Sequence, residues 1–144
     1  MNFKNVMAMI LAFLLSGLAN VSMAQDEALP VIKEHKQSGI KYISGGVSDA
    51  ERKAIAKIAQ KYPVQLLFSV EGKTEPVTGV KVTVINVMGK KQLEAESEGP
   101  LFYFTPDSGR WTMDAEYDGE HISMTKDLVG RRYLVLEYKF KAQH

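Results

Sequence analysis

From Pro63 onward the sequence breaks into short runs in which apolar residues return at every second position, and each run is closed by a turn signal. A period of two belongs to a strand, whose successive side chains point to opposite faces, so this chain must build sheets with one face turned inward. The clearest run is Trp111-Thr112-Met113-Asp114-Ala115-Glu116-Tyr117. Asp118-Gly119 follows it, a pair that favours a tight hairpin turn, and 121–125 returns with Ile122 and Met124 on one face. Val80, Val82 and Val84 alternate with Lys81 and Thr83, and Leu93 and Ala95 point one way within 92–97. The stretch 64–70 is mostly apolar and reads as a buried strand, 101–104 is a short aromatic strand, and 133–140 is the last. Turns fall at 71–76, 88–90, 98–100 and Thr105-Pro106-Asp107-Ser108-Gly109. Six or seven short strands spaced this way predict a mainly β chain folded as an antiparallel sandwich.

One helix precedes the strands. Ser48-Asp49-Ala50-Glu51 has the spacing of a capping box, in which Ser48 accepts from the Glu51 amide and Glu51 reaches back to the Ser48 amide. Ile55, Ile58, Ala59 and Tyr62 share a face at helical spacing, with Arg52, Lys53, Lys57 and Lys61 on the others. Pro63 ends the helix. Before it, 25–43 reads as a polar leader with one short strand beginning near Gly39 and broken by Gly45-Gly46. The expected folded domain is 44–144, a helix plus a β-sandwich.

The first 24 residues have the three parts of an export signal: Lys4 near the start, an uninterrupted apolar run over 6–15, and Ser22-Met23-Ala24 with small residues where a signal peptidase inspects them. The apolar run is shorter than the roughly 20 residues that span a bilayer. Cleavage after Ala24 is expected, with no stable membrane insertion afterwards and the periplasm, or the medium, as destination. The chain has no cysteine, which excludes lipid attachment at an exported N-terminus, disulfides and thiolate metal sites. Removing 1–24 removes Lys4 and no acid, which leaves 17 basic and 17 acidic groups and a net charge of zero. That balance argues against nucleic acid as a partner.

Gly79-Val80 with Val82 and Val84, then Gly89, Ser97-Glu98-Gly99-Pro100 before Phe102, Pro106 with Gly109, Trp111-Thr112-Met113, and Tyr117 with Gly119 follow one another in a set order. This succession over 77–119 resembles the carboxypeptidase regulatory-like, or transthyretin-like, β-sandwich module. Ser44-Gly45-Gly46-Val47 with its helix, on to Phe68, looks like the front half of small exported bacterial proteins that carry such a module. The resemblance implies an Ig-like or prealbumin-like fold and a non-catalytic role. Transthyretin-like folds also include a ureide hydrolase ending in Tyr-Arg-Gly-Ser; this chain ends Lys141-Ala142-Gln143-His144, so no catalytic residue carries over.

The remaining side chains offer little for chemistry. His35, His121 and His144 form no metal-ligand spacing. Ser44 and Ser108 lie beside glycines but in no nucleophile elbow. Gly45-Gly46 before the helix could bind an anion, but Ser48 and Glu51 already claim those amides. The carboxylates Glu94, Glu96, Asp114 and Glu116 alternate with apolar residues and belong on solvent faces. No metal, cofactor or catalytic residue is therefore expected. Of the aromatic residues, Tyr103 alternates against Phe102 and Phe104, so it is expected to be exposed and to be a partner contact. The reading that results is an exported envelope accessory or protein-binding module with a protein partner. The alternative is a small-ligand or carbohydrate binder, which exposed aromatics on one sheet would favour.

The protein recovered from the envelope of its host is expected to begin at Gln25. Intact-mass measurement checks this, and a mass that retains residues 1–24 would refute it.

Overall fold

The computed structural model describes residues 28–129 and 133–142, so the expected signal peptide and His144 lie outside the described residues. In chain order the elements are β1 (His35–Gln37), β2 (Ile40–Gly45), α1 (Asp49–Ile58) with a 3-10 turn at Ala59–Lys61, β3 (Val64–Val70), β4 (Lys81–Ile85), β5 (Lys91–Glu96), β6 (Leu101–Thr105), β7 (Arg110–Tyr117), β8 (Glu120–Asp127) and β9 (Leu134–Phe140). Five strands form one sheet in the order β1-β2-β6-β3-β9, and four form another in the order β5-β4-β7-β8. The fold is mainly β and sandwich-like. No helix among the described residues is long and apolar enough to cross a membrane.

Two local expectations change. The sandwich is not wholly antiparallel, because β9 runs parallel to β3 from Val64↔Leu134 to Val70↔Phe140. A parallel neighbour needs a long crossover, and here all four strands of the other sheet, together with β6, lie between them in the chain. The leader is also part of the fold: β2 lies between β1 and β6, with Tyr42 opposite Phe104 and Ser44 opposite Phe102. The described sheet structure therefore starts at His35, not at residue 44.

Local chemistry sets the turns. Asp118 and Gly119 both have positive φ, 51° and 83°, as a two-residue turn matched to strand twist requires. Ser38 and Gly39 repeat this geometry between β1 and β2. At α1, Ser48 Oγ accepts from Glu51 N at 3.1 Å as expected. The Glu51 carboxylate does not return to Ser48. It accepts instead from Gly46 N at 3.2 Å and Val47 N at 2.9 Å, which fastens the preceding turn to the helix and occupies the amides an anion would need. The helix tightens into its 3-10 turn before Pro63, which forces Tyr62 into extended backbone.

Apolar side chains form two cores. Between the sheets lie Leu66, Phe68, Val80, Val82, Val84, Leu93, Phe102, Phe104, Met113, Tyr138 and Phe140. On the outer face of the five-stranded sheet, Ile43 and Tyr103 meet Ile55 and Tyr62 from the helical segment, with Leu67, Leu101 and Ile58 around them. The molecule thus has three layers: helix, five strands, four strands.

Three small residues and one amide join these layers. Ser44 Oγ donates to Leu101 O at 2.9 Å and accepts from Glu98 N at 2.8 Å; Ser97 Oγ accepts from Val80 N at 3.0 Å. Both hydroxyls are buried and both are satisfied. Gly99 lies so close to β2 that a Cβ would stand 2.3 Å from Gly45 O. At the sandwich edge, Gln37 Nε2 donates to Glu94 O at 2.9 Å while Gln37 Oε1 accepts from Glu94 N at 3.0 Å, so one side chain satisfies both backbone groups of a residue on the edge strand β5.

Gly99→Ala is expected to lower unfolding free energy by about 1–3 kcal/mol, because the neighbour it meets is backbone that must shift. Urea denaturation checks this, and an unchanged midpoint would show that the turn yields freely.

Candidate functional site

Tyr103 does not face water. It is 9% exposed and lies under α1. Alternation correctly places it opposite Phe102 and Phe104, but the face it points to is the second core rather than solvent. Burial raises its phenol pKa. The other aromatic residues are mostly interior. Phe102, Phe104 and Tyr138 are fully buried, and Trp111 is buried with Nε1 donating to Asp107 O at 2.8 Å. Tyr138 donates its hydroxyl to Met113 O at 2.9 Å. Tyr133 is the aromatic residue with a large exposed surface among the described residues.

His121 and the charged side chains around Glu94 lie on open surfaces, whereas Asp114 is partly buried. His35 stacks on Tyr42 at 5.1 Å between ring centres. His121 Nε2 lies 3.5 Å from Asp114 Oδ2 on the outer face of the four-stranded sheet, and its side chain is 58% exposed. Asp114 Oδ1 is buried without a hydrogen-bond partner among the described residues. Thr83 and Ser123 are the register neighbours of Asp114 on either side. This His–carboxylate contact is an ion pair only when His121 is protonated, and with His121 58% exposed such a pair contributes little stability. The Glu94 carboxylate is held below its usual range by Lys91 at 2.6 Å and then Lys81 at 3.2 Å. Among the described residues no three His, Asp or Glu side chains cluster as metal ligands do.

Clefts are small or open. One of about 190 Å³ is lined by Pro63, Pro106, Asp107, Leu128, Tyr133 and Leu134. It is below the roughly 300 Å³ at which ordinary ligand pockets begin.

The β4–β5 tip is more distinctive. Val87 and Met88 are 72% and 79% exposed, which is unusual for large apolar side chains in a turn. The turn beneath them is braced. Asn86 Oδ1 accepts from Met88 N at 3.0 Å and from Lys90 N at 2.9 Å, and Asn86 N donates to Lys90 O at 2.9 Å. Gly89 supplies positive φ at 80°. The turn's backbone is therefore fixed where it holds two apolar side chains in water, and Lys90 and Lys91 lie beside them. The sequence marks 88–90 as a turn. The overlooked signal is the apolar pair between Asn86 and Gly89, where polar residues ordinarily stand.

Compared with models of known protein families and with curated proteins, the chain matches none.

Tyr62, Tyr103 and Tyr138 all have raised phenol pKa values, each through burial first. The hydrogen bond and charge of Glu34 add to the effect at Tyr62, and the charge of Asp114 adds at Tyr138. A phenol whose folded pKa exceeds its unfolded value contributes stability that is complete below about pH 10 and is lost as pH rises beyond it. Three of the six tyrosines are therefore expected to ionise only as the protein unfolds. Phenolate absorbance and circular dichroism followed together through an alkaline titration check this; six ionisations with the fold intact would contradict it.

Proposed function

We propose that this protein is an exported, non-catalytic module of the bacterial envelope that binds a protein partner through its β4–β5 tip. The observation that carries the reading is the exposed Val87–Met88 pair on a turn braced by Asn86. An apolar anchor on a rigid support, rimmed by charge, is the pattern of an interface hot spot. Periplasmic location is supported by the three-part pattern of residues 1–24. The carboxypeptidase regulatory-like resemblance belongs to the same reading, with an Ig-like or transthyretin-like sandwich. It is supported by two facing sheets and by glycine turns at Gly79, Gly89, Gly109 and Gly119, all with positive φ. A small-ligand or carbohydrate role has less support, since most aromatic residues lie in the two cores.

A photo-crosslinking residue at position 88, expressed in the native host, is expected to trap one discrete envelope protein. The double substitution V87S/M88S, with a crosslinker at the neighbouring Lys90, is expected to reduce that product at least about tenfold, the size of effect expected for an anchor worth more than 1.4 kcal/mol. Crosslinking at position 88 no different from that at the exposed Lys73 would overturn the assignment of the tip.

A further inference from the structure

The sandwich has two open sides, and the chain treats them differently. On one side β1 and β5 are the edges, and the Gln37 carboxamide bridges them by taking both backbone groups of Glu94. On the other side β8 and β9 are the edges, and Glu120 Oε1 of β8 accepts from Lys141 N at 2.7 Å just past the end of β9. Leu134 N donates to Pro63 O at 2.7 Å, and Phe140 O accepts from Glu71 N at 2.8 Å, so these residues of β9 turn their backbone groups toward β3. Backbone direction alternates along a strand, so the N–H and C=O groups of Val135, Glu137 and Lys139 point away from the sheet. None of these has a backbone partner among the described residues. An edge is usually protected by a proline, a bulge, an inward-pointing charge or charged side chains along it, and of these β9 has only the exposed Glu137 and Lys139. Here β9 pairs with β3 in unbroken register over seven residues, contains no proline, and turns Leu134, Leu136, Tyr138 and Phe140 inward. Tyr133 and Val135, each about half exposed, add apolar surface beside it.

We propose that two copies of this chain join antiparallel through β9, with Tyr138 of one opposite Tyr138 of the other. The charge pattern selects both the partner and the register. Centred on Tyr138, the two-fold sets Glu137 opposite Lys139 of the second copy, and does so twice. Centring on Glu137 or on Lys139 would set like charges face to face, and centring on Leu136 would set Val135 against Glu137. Opposite charges directly across an antiparallel pair stabilise it, and like charges destabilise it. The preferred register also makes both of these pairs hydrogen-bonded ones, because the free backbone groups of Glu137 and Lys139 then meet. The contact is isologous and therefore closes at two copies. It fuses two five-stranded sheets into one of ten strands with both helices on the same face. It is independent of the Val87–Met88 tip. The contact is short, so the dimer dissociates on dilution.

Sedimentation of the protein lacking residues 1–24, across a concentration series, tests this. A reversible monomer–dimer equilibrium is expected. Glu137→Lys alone and Lys139→Glu alone each set like charges across both symmetric contacts, and each is expected to weaken association on the order of tenfold or more. An equimolar mixture of the two single variants is expected to associate again, because an acidic edge then faces a basic one. Both side chains are well exposed, so circular dichroism and melting of each variant are expected to match the parent. A parent that stays monomeric at every concentration, a dimer indifferent to either reversal, or a mixture that does not reassociate would each overturn the proposal. So would a crosslinker at position 139 that captures only a different protein, since the edge would then belong to a foreign strand.

Discussion

The five-stranded sheet must be covered on both faces, and most of the structure follows from that. Leu66, Phe102 and Phe104 fill the space between the sheets, while Ile43 and Tyr103 on the reverse face need a second cover. Burying one large apolar side chain is worth roughly 1.5–3 kcal/mol. Leaving that reverse face bare would forfeit several such contributions in a chain without disulfides. The helix supplies the cover, and Ser48, Glu51 and Gly46 hold it at the angle that brings Ile55 and Tyr62 down onto the sheet.

Stacking three layers brings backbone segments close together, and small residues make that approach affordable in steric terms. Gly99 lets the 98–100 turn lie against Gly45, and Ser44 and Ser97 fill the donors and acceptors that would otherwise be stranded inside. Gln37 does at the edge what these residues do inside, by substituting a side-chain amide for a missing strand. At one side Gln37 thus satisfies both backbone groups of Glu94, while at the other the outward backbone groups of Val135, Glu137 and Lys139 have no backbone partner among the described residues. The aromatic side chains that could form a ligand platform instead hold the layers together.

Much of the β framework was legible because exposure and burial alternate cleanly there. Val80, Val82 and Val84 are all fully buried, and Trp111, Met113 and Ala115 face inward as their spacing implies. The leader was harder to read. β1 is three residues long, too short for a periodic signal, and its Ser38-Gly39 turn resembles any polar linker until strand pairing is known. The candidate contact was misread for a related reason. Tyr103 and a surface tyrosine have the same pattern in sequence, and only the position of α1 distinguishes them. Val87 and Met88 were passed over because a turn assignment records backbone shape and not which side chains the turn holds in water.

Local events follow from the sequence: which face of most strands is apolar, that Ser48 caps a helix, that Asp118-Gly119 turns a hairpin, and that no thiol chemistry is available. These depend on neighbours within a few residues, so they are written in short spacings. The tertiary fold sets which strands lie side by side, that β9 runs parallel to β3, that Tyr103 is interior, and that Gln37 bridges one sandwich edge while Val135, Glu137 and Lys139 of β9 have no backbone partner among the described residues. Each of these depends on contacts between residues far apart in the chain, such as Gln37 with Glu94 and Val64 with Leu134. Periodicity identifies which face of a strand is apolar; it carries no information about what comes to cover that face.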